Sequence, residues 1–235
     1  MNPDAYEFHR VPNTPANQFH GQLLASDQVS KDDISLVWRE LERVLAAGTV
    51  GAVVEFGCYV GTTSLFIRRL LDEAGESAAR PFHVYDSFEG LPPKVSADLS
   101  AAGTDFQAGK LMVSKKEFLR QFQNANLDAP VVHKGWFNQL SEQDVPAQIA
   151  FAFLDGDFYD SILDSLKLVW PRLQPGATLL IDDYQRPELP GVERAVRDYF
   201  KQIGEPMPPL QVVHNIAIMR RQARQRLGSP ENRRL

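Results

Sequence analysis

Short apolar runs that end on carboxylates constrain this chain more than any other feature. GAVVEF carries Glu55, PFHVYD closes on Asp86, IAFAFLD on Asp155, and ATLLIDD on Asp182 and Asp183. Runs of this length and β-rich content read as strands. Between them lie segments with apolar residues at helical spacing. Thr62–Ala74 is one such helix. SKKEFLRQFQNA is a second, with Ser114 and Glu117 as a capping box. Asp160–Trp170, stopped by Pro171, and Val192–Phe200 are two more. An earlier helix carries Ile34, Val37, Trp38, Leu41, Val44 and Leu45, starting at Ser30 and Asp33 and stopping at Gly48. APVVHK is a further strand, and LQVVHNIAIMR gives two short strands around His214 and Asn215.

The alternation predicts an α/β fold, a mostly parallel seven-stranded sheet with an antiparallel C-terminal hairpin. In such sheets ligands sit at the carboxyl ends of the strands, where these carboxylates fall. Residues 1–48 read as an arm with Pro12 and Pro15 followed by the first helix, 49–220 as the domain, and 221–235 as a basic, solvated tail.

Composition excludes several classes. The chain has 235 residues, 43% hydrophobic, enough for a single core. One cysteine, Cys58, excludes an internal disulfide framework or a zinc–cysteine cluster. The net charge is -5, although the stretch from Met219 to Leu235 holds six arginines and one glutamate. The rest of the chain is therefore strongly acidic, which argues against a nucleic-acid groove. No apolar run reaches membrane-spanning length, and the N-terminus lacks a secretory pattern, so a cytoplasmic location is expected. A homo-oligomer stays open.

VVEFGCYVGTTS places a strand end, a loop with Gly57 and Gly61, and a helix start in one stretch. Its GxxxG spacing departs from the GxGxxG of dinucleotide folds and suits a nucleoside without a pyrophosphate. The alternative is a tight turn that holds nothing. Asp86, at the end of the next strand, is placed to accept a ribose diol or to cap a turn. Gly135 with Trp136 or Phe137 offers an adenine pocket or plain core. His133 reads as a strand residue.

Asp155, Asp157 and Asp160 follow the fourth strand, and Asp182 and Asp183 the fifth. Neighbouring strands lie about 5 Å apart, so Asp155, Asp182 and Asp183 share one small volume. Anionic carboxylates crowd together at a cost unless a cation joins them. Oxygen ligands favour Mg²⁺, with Mn²⁺ or Ca²⁺ as alternatives. Helix capping is the competing role.

VVEFGCYVG, VYDSFEGLP, KGWF, FLDGDFYDS, WPRLQPGATLLIDDY and GVERAVRDYF, in that order, resemble the macrocin-type (TylF/MycF-like) O-methyltransferase family. The resemblance covers about Val50 to Phe200. One departure is Cys-Tyr-Val-Gly-Thr-Thr, where a Val-Trp-Arg-Gly-Gly-like run is common. The resemblance implies a Rossmann-like class I methyltransferase fold and transfer of a methyl group from S-adenosylmethionine to a small-molecule hydroxyl, often on a natural-product sugar. It implies Asp155, Asp182 and Asp183 as metal ligands and Asp86 as ribose ligand. The cofactor would then lie against Glu55, Gly57, Tyr59, Gly61, Thr62, Thr63, Asp86, Ser87, Gly135, Trp136 and Asp155. Asp155 and Asp157 are the candidate bases. The long connection Phe88–Lys110, with its glycines and prolines, is expected to close over the site. The alternatives are a catechol-type phenol methyltransferase, a nicotinamide oxidoreductase and a catalytically silent binding protein.

Overall fold

A computed structural model of the chain describes residues 26, 28–103 and 105–222. The arm with Pro12 and Pro15, and the tail from residue 223 on, lie outside the described residues.

Five helices and seven strands follow the expected order: α1 Lys31–Ala46, β1 Ala52–Phe56, α2 Thr62–Glu73, β2 Phe82–Asp86, α3 Lys115–Ala125, β3 Val131–Lys134, β4 Ile149–Leu154, α4 Tyr159–Val169, β5 Leu173–Ile181, α5 Gly191–Ile203, β6 Leu210–Val213 and β7 Ile216–Arg220. Local chemistry accounts for the ends. Ser30 accepts from the Asp33 N–H while the Asp33 carboxylate takes the Ser30 N–H, a complete capping box on α1. At α3 only half of the expected box forms. Ser114 accepts from the Glu117 N–H, but the Glu117 carboxylate turns to Arg120 at 3.5 Å. Pro171 does not end the fourth helix outright. It sits inside a 3-10 turn, Trp170–Arg172, that continues it. β5 starts at Leu173, four residues before the expected ATLLIDD, with a register irregularity against β4.

The seven strands form one sheet in the order β3-β2-β1-β4-β5-β7-β6. β1 to β5 pair in parallel, and β7 is antiparallel to both β5 and β6. β1 leads outward to β2 and β3, while β4 and β5 extend the other way. A crevice opens at the carboxyl ends where that order reverses, between β1 and β4. Ile34, Trp38, Leu41, Phe66, Leu70 and Phe118 pack one face of the sheet with α1 to α3. Ile162, Leu166, Val192, Val196 and Phe200 pack the other with α4 and α5. β1 and β4 are buried along their whole length, as a parallel sheet covered on both faces requires.

The end of β7 and the residue after it are tied to the body of the protein. Arg221 pairs its backbone with Gly176 and Ala177, and its guanidinium lies over Trp170 at 4.4 Å. Arg220 holds the buried Glu40 at 3.0 Å. These two arginines belong to the folded sheet because β7 sits inside it, beside β5. No helix among the described residues is long and apolar enough to cross a membrane.

Candidate active site

A cavity of about 730 Å³ opens at the carboxyl ends of the strands. Glu55, Gly57, Tyr59, Thr62, Thr63, Asp86, Ser87, Trp136, Asp155, Asp157, Asp182 and Asp183 all line it. Gly61 and Gly135 do not; they shape the turns behind the wall.

Gly57 has its backbone in the left-handed region, φ 87°, and a Cβ there would stand 1.9 Å from the carbonyl oxygen of Asp155. The loop after β1 thus packs directly on the loop after β4, and this glycine serves protein packing. Asp86 fastens the same loop from the other side. Its Oδ2 accepts the N–H groups of Cys58 at 2.9 Å and Tyr59 at 3.2 Å, and its Oδ1 accepts Phe88 N–H at 2.7 Å. A carboxylate has room for further donors beyond these three. Cys58 is buried, and burial together with Asp86 pushes its thiol well above the usual range, so it is no activated nucleophile.

Two features of α2 point to a ligand. Gly61 stands at its N-cap without a side-chain cap, leaving helix N–H groups open. Thr62, 4% exposed, has a buried hydroxyl with no partner, and the residue lines the cavity. A buried polar atom left unpaired is costly; a polar ligand group would relieve it. Glu55, also in this wall, is 1% exposed and accepts from Ser64 Oγ; burial pushes its carboxyl up to about 8.

Phe137 packs edge-on against Phe56, ring centroids 5.2 Å apart. That anchors the turn after β3 and leaves Trp136 half-buried in the wall. His133 is a strand residue, stacked on Tyr85 and 3.0 Å from His83.

Ligand atoms of Asp155, Asp157 and Asp183 lie within 4.8 Å of one another, the one such group of potential metal ligands among the described residues. Asp182 is not in that group but adjoins it: its charge is the largest electrostatic influence on Asp155. Burial raises all four carboxyls, and repulsion within the group adds to it at Asp155, Asp157 and Asp182; Asp157 reaches about 7. Arg186 answers part of this charge, with Nη1 3.0 Å from Asp183. Asp157 and Asp183 also carry positive φ, as do Tyr59, His214 and Asn215 in the same lining. Such backbone is unfavourable for residues with side chains, and it collects at functional sites.

Sequence reasoning missed several lining residues. Asp33 and His214, 3.8 Å apart, come from α1 and the β6–β7 turn. Arg186 and Asp164 also line the cavity. Nothing local in the sequence marks them, since their approach depends on strand order. The Phe88–Lys110 connection forms another wall through Leu91, Pro92, Val95, Asp98 and Phe106. It is pinned there by Asp98 accepting the Tyr159 N–H at 2.7 Å, Ser100 donating to Pro187 O and Arg194 donating to Ala97 O.

A parallel sheet with this strand order, an antiparallel C-terminal pair, and a glycine loop and acidic residues at the switch point define the Rossmann-like class I methyltransferase fold. Residues 24–222 match the family model described as macrocin-O-methyltransferase (TylF), and the chain belongs to that family. It is 35% identical over 170 residues to the Streptomyces olivaceus 8-demethyl-8-(2,3-dimethoxy-alpha-L-rhamnosyl)-tetracenomycin-C 4'-O-methyltransferase, covering 70% of this chain and 63% of that protein. It is 30% identical over 172 residues to the Micromonospora griseorubida mycinamicin III 3''-O-methyltransferase, covering 70% and 66%. The chain thus spans slightly less than two thirds of the curated relatives it matches. Among solved structures, the O-methyltransferase NovP superposes with a TM-score of 0.72 at 26% identity, covering 83% of this chain and 81% of that one.

Proposed function

We propose that this chain transfers the methyl group of S-adenosylmethionine to a hydroxyl of a sugar on a natural product or its precursor, with a divalent cation, Mg²⁺ by donor type. The carrying observation is the convergence of two sites in one cavity: the open end of α2 with the unpartnered Thr62 hydroxyl, and the carboxylates after β4 and β5, of which Asp183 is buried and the others half-buried. One relative named for methylating a rhamnosyl compound, and a second named for O-methylating mycinamicin III, support the acceptor class.

The residues suit both groups. Helix α2 and Thr62 match the carboxylate end of an amino-acid-bearing nucleoside, and Asp86 has acceptor capacity left for its ribose. All-oxygen donors suit a hard divalent cation, and we assign to it Asp155 and Asp183 of the convergent group together with Asp182, which adjoins that group. When bound, the cation would orient an acceptor hydroxyl and lower its pKa. Asp157, the remaining member of the carboxylate group, accepts the hydroxyl proton. The cofactor's sulfonium makes the methyl group transferable, so the protein's own work is alignment and water exclusion. Leu91, Pro92, Val95 and Phe106 from the 88–110 connection supply an apolar wall for that exclusion.

The test is a transfer assay with methyl-labelled cofactor and Mg²⁺ against sugar glycosides and phenols. Labelled sugar O-methyl product is the expected result. Transfer to catechols alone would move the acceptor to the phenol class, and no transfer to either, with cofactor bound, would overturn the enzymatic reading.

A further inference from the structure

The order of the strands sets where the acceptor lies, on the basis of the methyl-transfer reading above. Along the sheet the cavity is bordered in turn by Trp136 after β3, Asp86 after β2, the glycine loop after β1, and the carboxylates after β4 and β5. On that reading the nucleoside occupies the β2–β1 side. Transfer in line with the sulfonium then puts the acceptor toward the carboxylates and beyond them. The next wall in that direction is the β6–β7 turn, whose His214 and Asn215 line the cavity.

Val213 and Ile216 pair across this turn, so His214 and Asn215 are its central residues, and both are left-handed, with φ 50° and 66°. Turns of this kind are ordinarily built from Asn and Gly; here the first position carries an imidazole. The turn is held on two sides. The Asn215 carbonyl accepts the Tyr184 N–H at 2.7 Å, one residue past Asp183. His214 Nδ1 stands 3.8 Å from Asp33 Oδ1, too far for a hydrogen bond but close enough to orient the ring. Asp33 is itself anchored, since its other oxygen accepts the Ser30 N–H at the start of α1. The His214 side chain is 53% exposed and makes no hydrogen bond among the described residues. It also borders a groove of about 130 Å³ beside Ser35, Leu36 and Arg39, and no other described residue lines both spaces. An acceptor longer than the cavity passes this ring on its way out.

We propose that His214 is a specificity-determining residue for the acceptor: its imidazole donates a hydrogen bond to the acceptor oxygen beside the hydroxyl that is methylated. The ring carries an N–H in either tautomer and when protonated, so the contact does not depend on its charge. Asp33 is a positioning residue that acts through this ring.

Two measurements on the full chain test this, with phenyl rhamnoside and catechol as probes. The first is kinetic, with cofactor and Mg²⁺. His214→Gly removes the ring and suits the left-handed turn, so loss of the fold does not confuse the result. Its KM for phenyl rhamnoside should rise about tenfold, as for one lost hydrogen bond, with kcat within about twofold. His214→Asn, which keeps a donor and tolerates the turn, should recover most of that loss. Asp33→Asn, which keeps an oxygen for Ser30, should raise KM about threefold in the wild type and leave it unchanged in His214→Gly. The second measurement needs no turnover. In isotopically histidine-labelled protein holding Mg²⁺ and the adenosyl product S-adenosylhomocysteine, phenyl rhamnoside should shift the ring signal of His214, assigned by its loss in His214→Gly. His83 and His133, which face each other at 3.0 Å on β2 and β3, should stay in place. Wild-type KM in His214→Gly, or an unmoved His214 signal with the glycoside bound, overturns the proposal. An equal KM rise from Asp33→Asn in both backgrounds overturns the positioning role. Transfer to catechol alone overturns the sugar reading, and a His214 signal that moves with catechol then upholds the contact. Binding of neither probe overturns both.

Discussion

The α-carbon of Gly57 faces the carbonyl oxygen of Asp155 so closely that a Cβ would stand 1.9 Å from it. The glycine loop after β1 and the acidic loop after β4 are thus fixed to each other through backbone. Gly57→Ala must both separate them and hold a left-handed φ. The expected cost is about 2–5 kcal/mol from overpacking and backbone strain. Urea unfolding of Gly57→Ala with a wild-type midpoint would count against this contact.

Asp86 holds the loop from the β2 side, so it has two separable effects. Asp86→Ala should weaken S-adenosylmethionine binding by about tenfold or more. It should also speed hydrogen exchange at the Cys58 and Tyr59 amides in the free protein. Calorimetry giving wild-type affinity would remove the ribose role, and unchanged exchange would remove the fastening role.

The metal assignment predicts that Asp182→Ala and Asp183→Ala lose nearly all turnover while cofactor binding stays within a few-fold of wild type. A chelator should stop the wild-type protein, and added Mg²⁺ should restore it. Full-rate methyl transfer by protein shown by elemental analysis to be metal-free would leave the carboxylates as helix caps and a base.

Glu55 gives a pH signature. Its carboxyl is raised from 4.5 to about 8, chiefly by burial, so the folded state keeps a proton that the unfolded state releases. Stability from this group is complete below about pH 4.5 and is lost as pH rises toward 8. Glu55→Gln, which keeps an acceptor for Ser64, should flatten that part of the stability profile of the ligand-free protein. A mutant profile parallel to wild type from pH 5 to 8 would show that Glu55 ionises freely.

Asp98, 1% exposed, ties the 88–110 connection to the start of α4, and Gly191 leaves the space it occupies. Asp98→Ala strands the Tyr159 N–H and should cost about 1–3 kcal/mol. Exchange across residues 95–103 should rise with it. Protection in that segment unchanged from wild type would mean the connection is held elsewhere.

The sequence by itself determined the element order, the mostly parallel sheet, and the carboxylates at strand ends. These are local facts: apolar runs of strand length, helical spacing between them, and acidic residues where each run stops. The pairing of β1 with β2, which sets the glycine loop beside Asp86, came only with the structure. Tertiary structure decided what local spacing cannot encode. Asp157 joins Asp155 and Asp183 because its left-handed backbone, φ 59°, turns the loop after β4. Asp33 and His214 meet only because β7 enters between β5 and β6 and brings the hairpin turn back to the start of α1. Arg186 becomes the counter-charge of Asp183 through the turn after β5, and Arg221, just past the end of β7, pairs its backbone with β5. Such pairings are set by which surfaces the packed sheet and helices bring into contact, and no window of neighbouring residues carries that information.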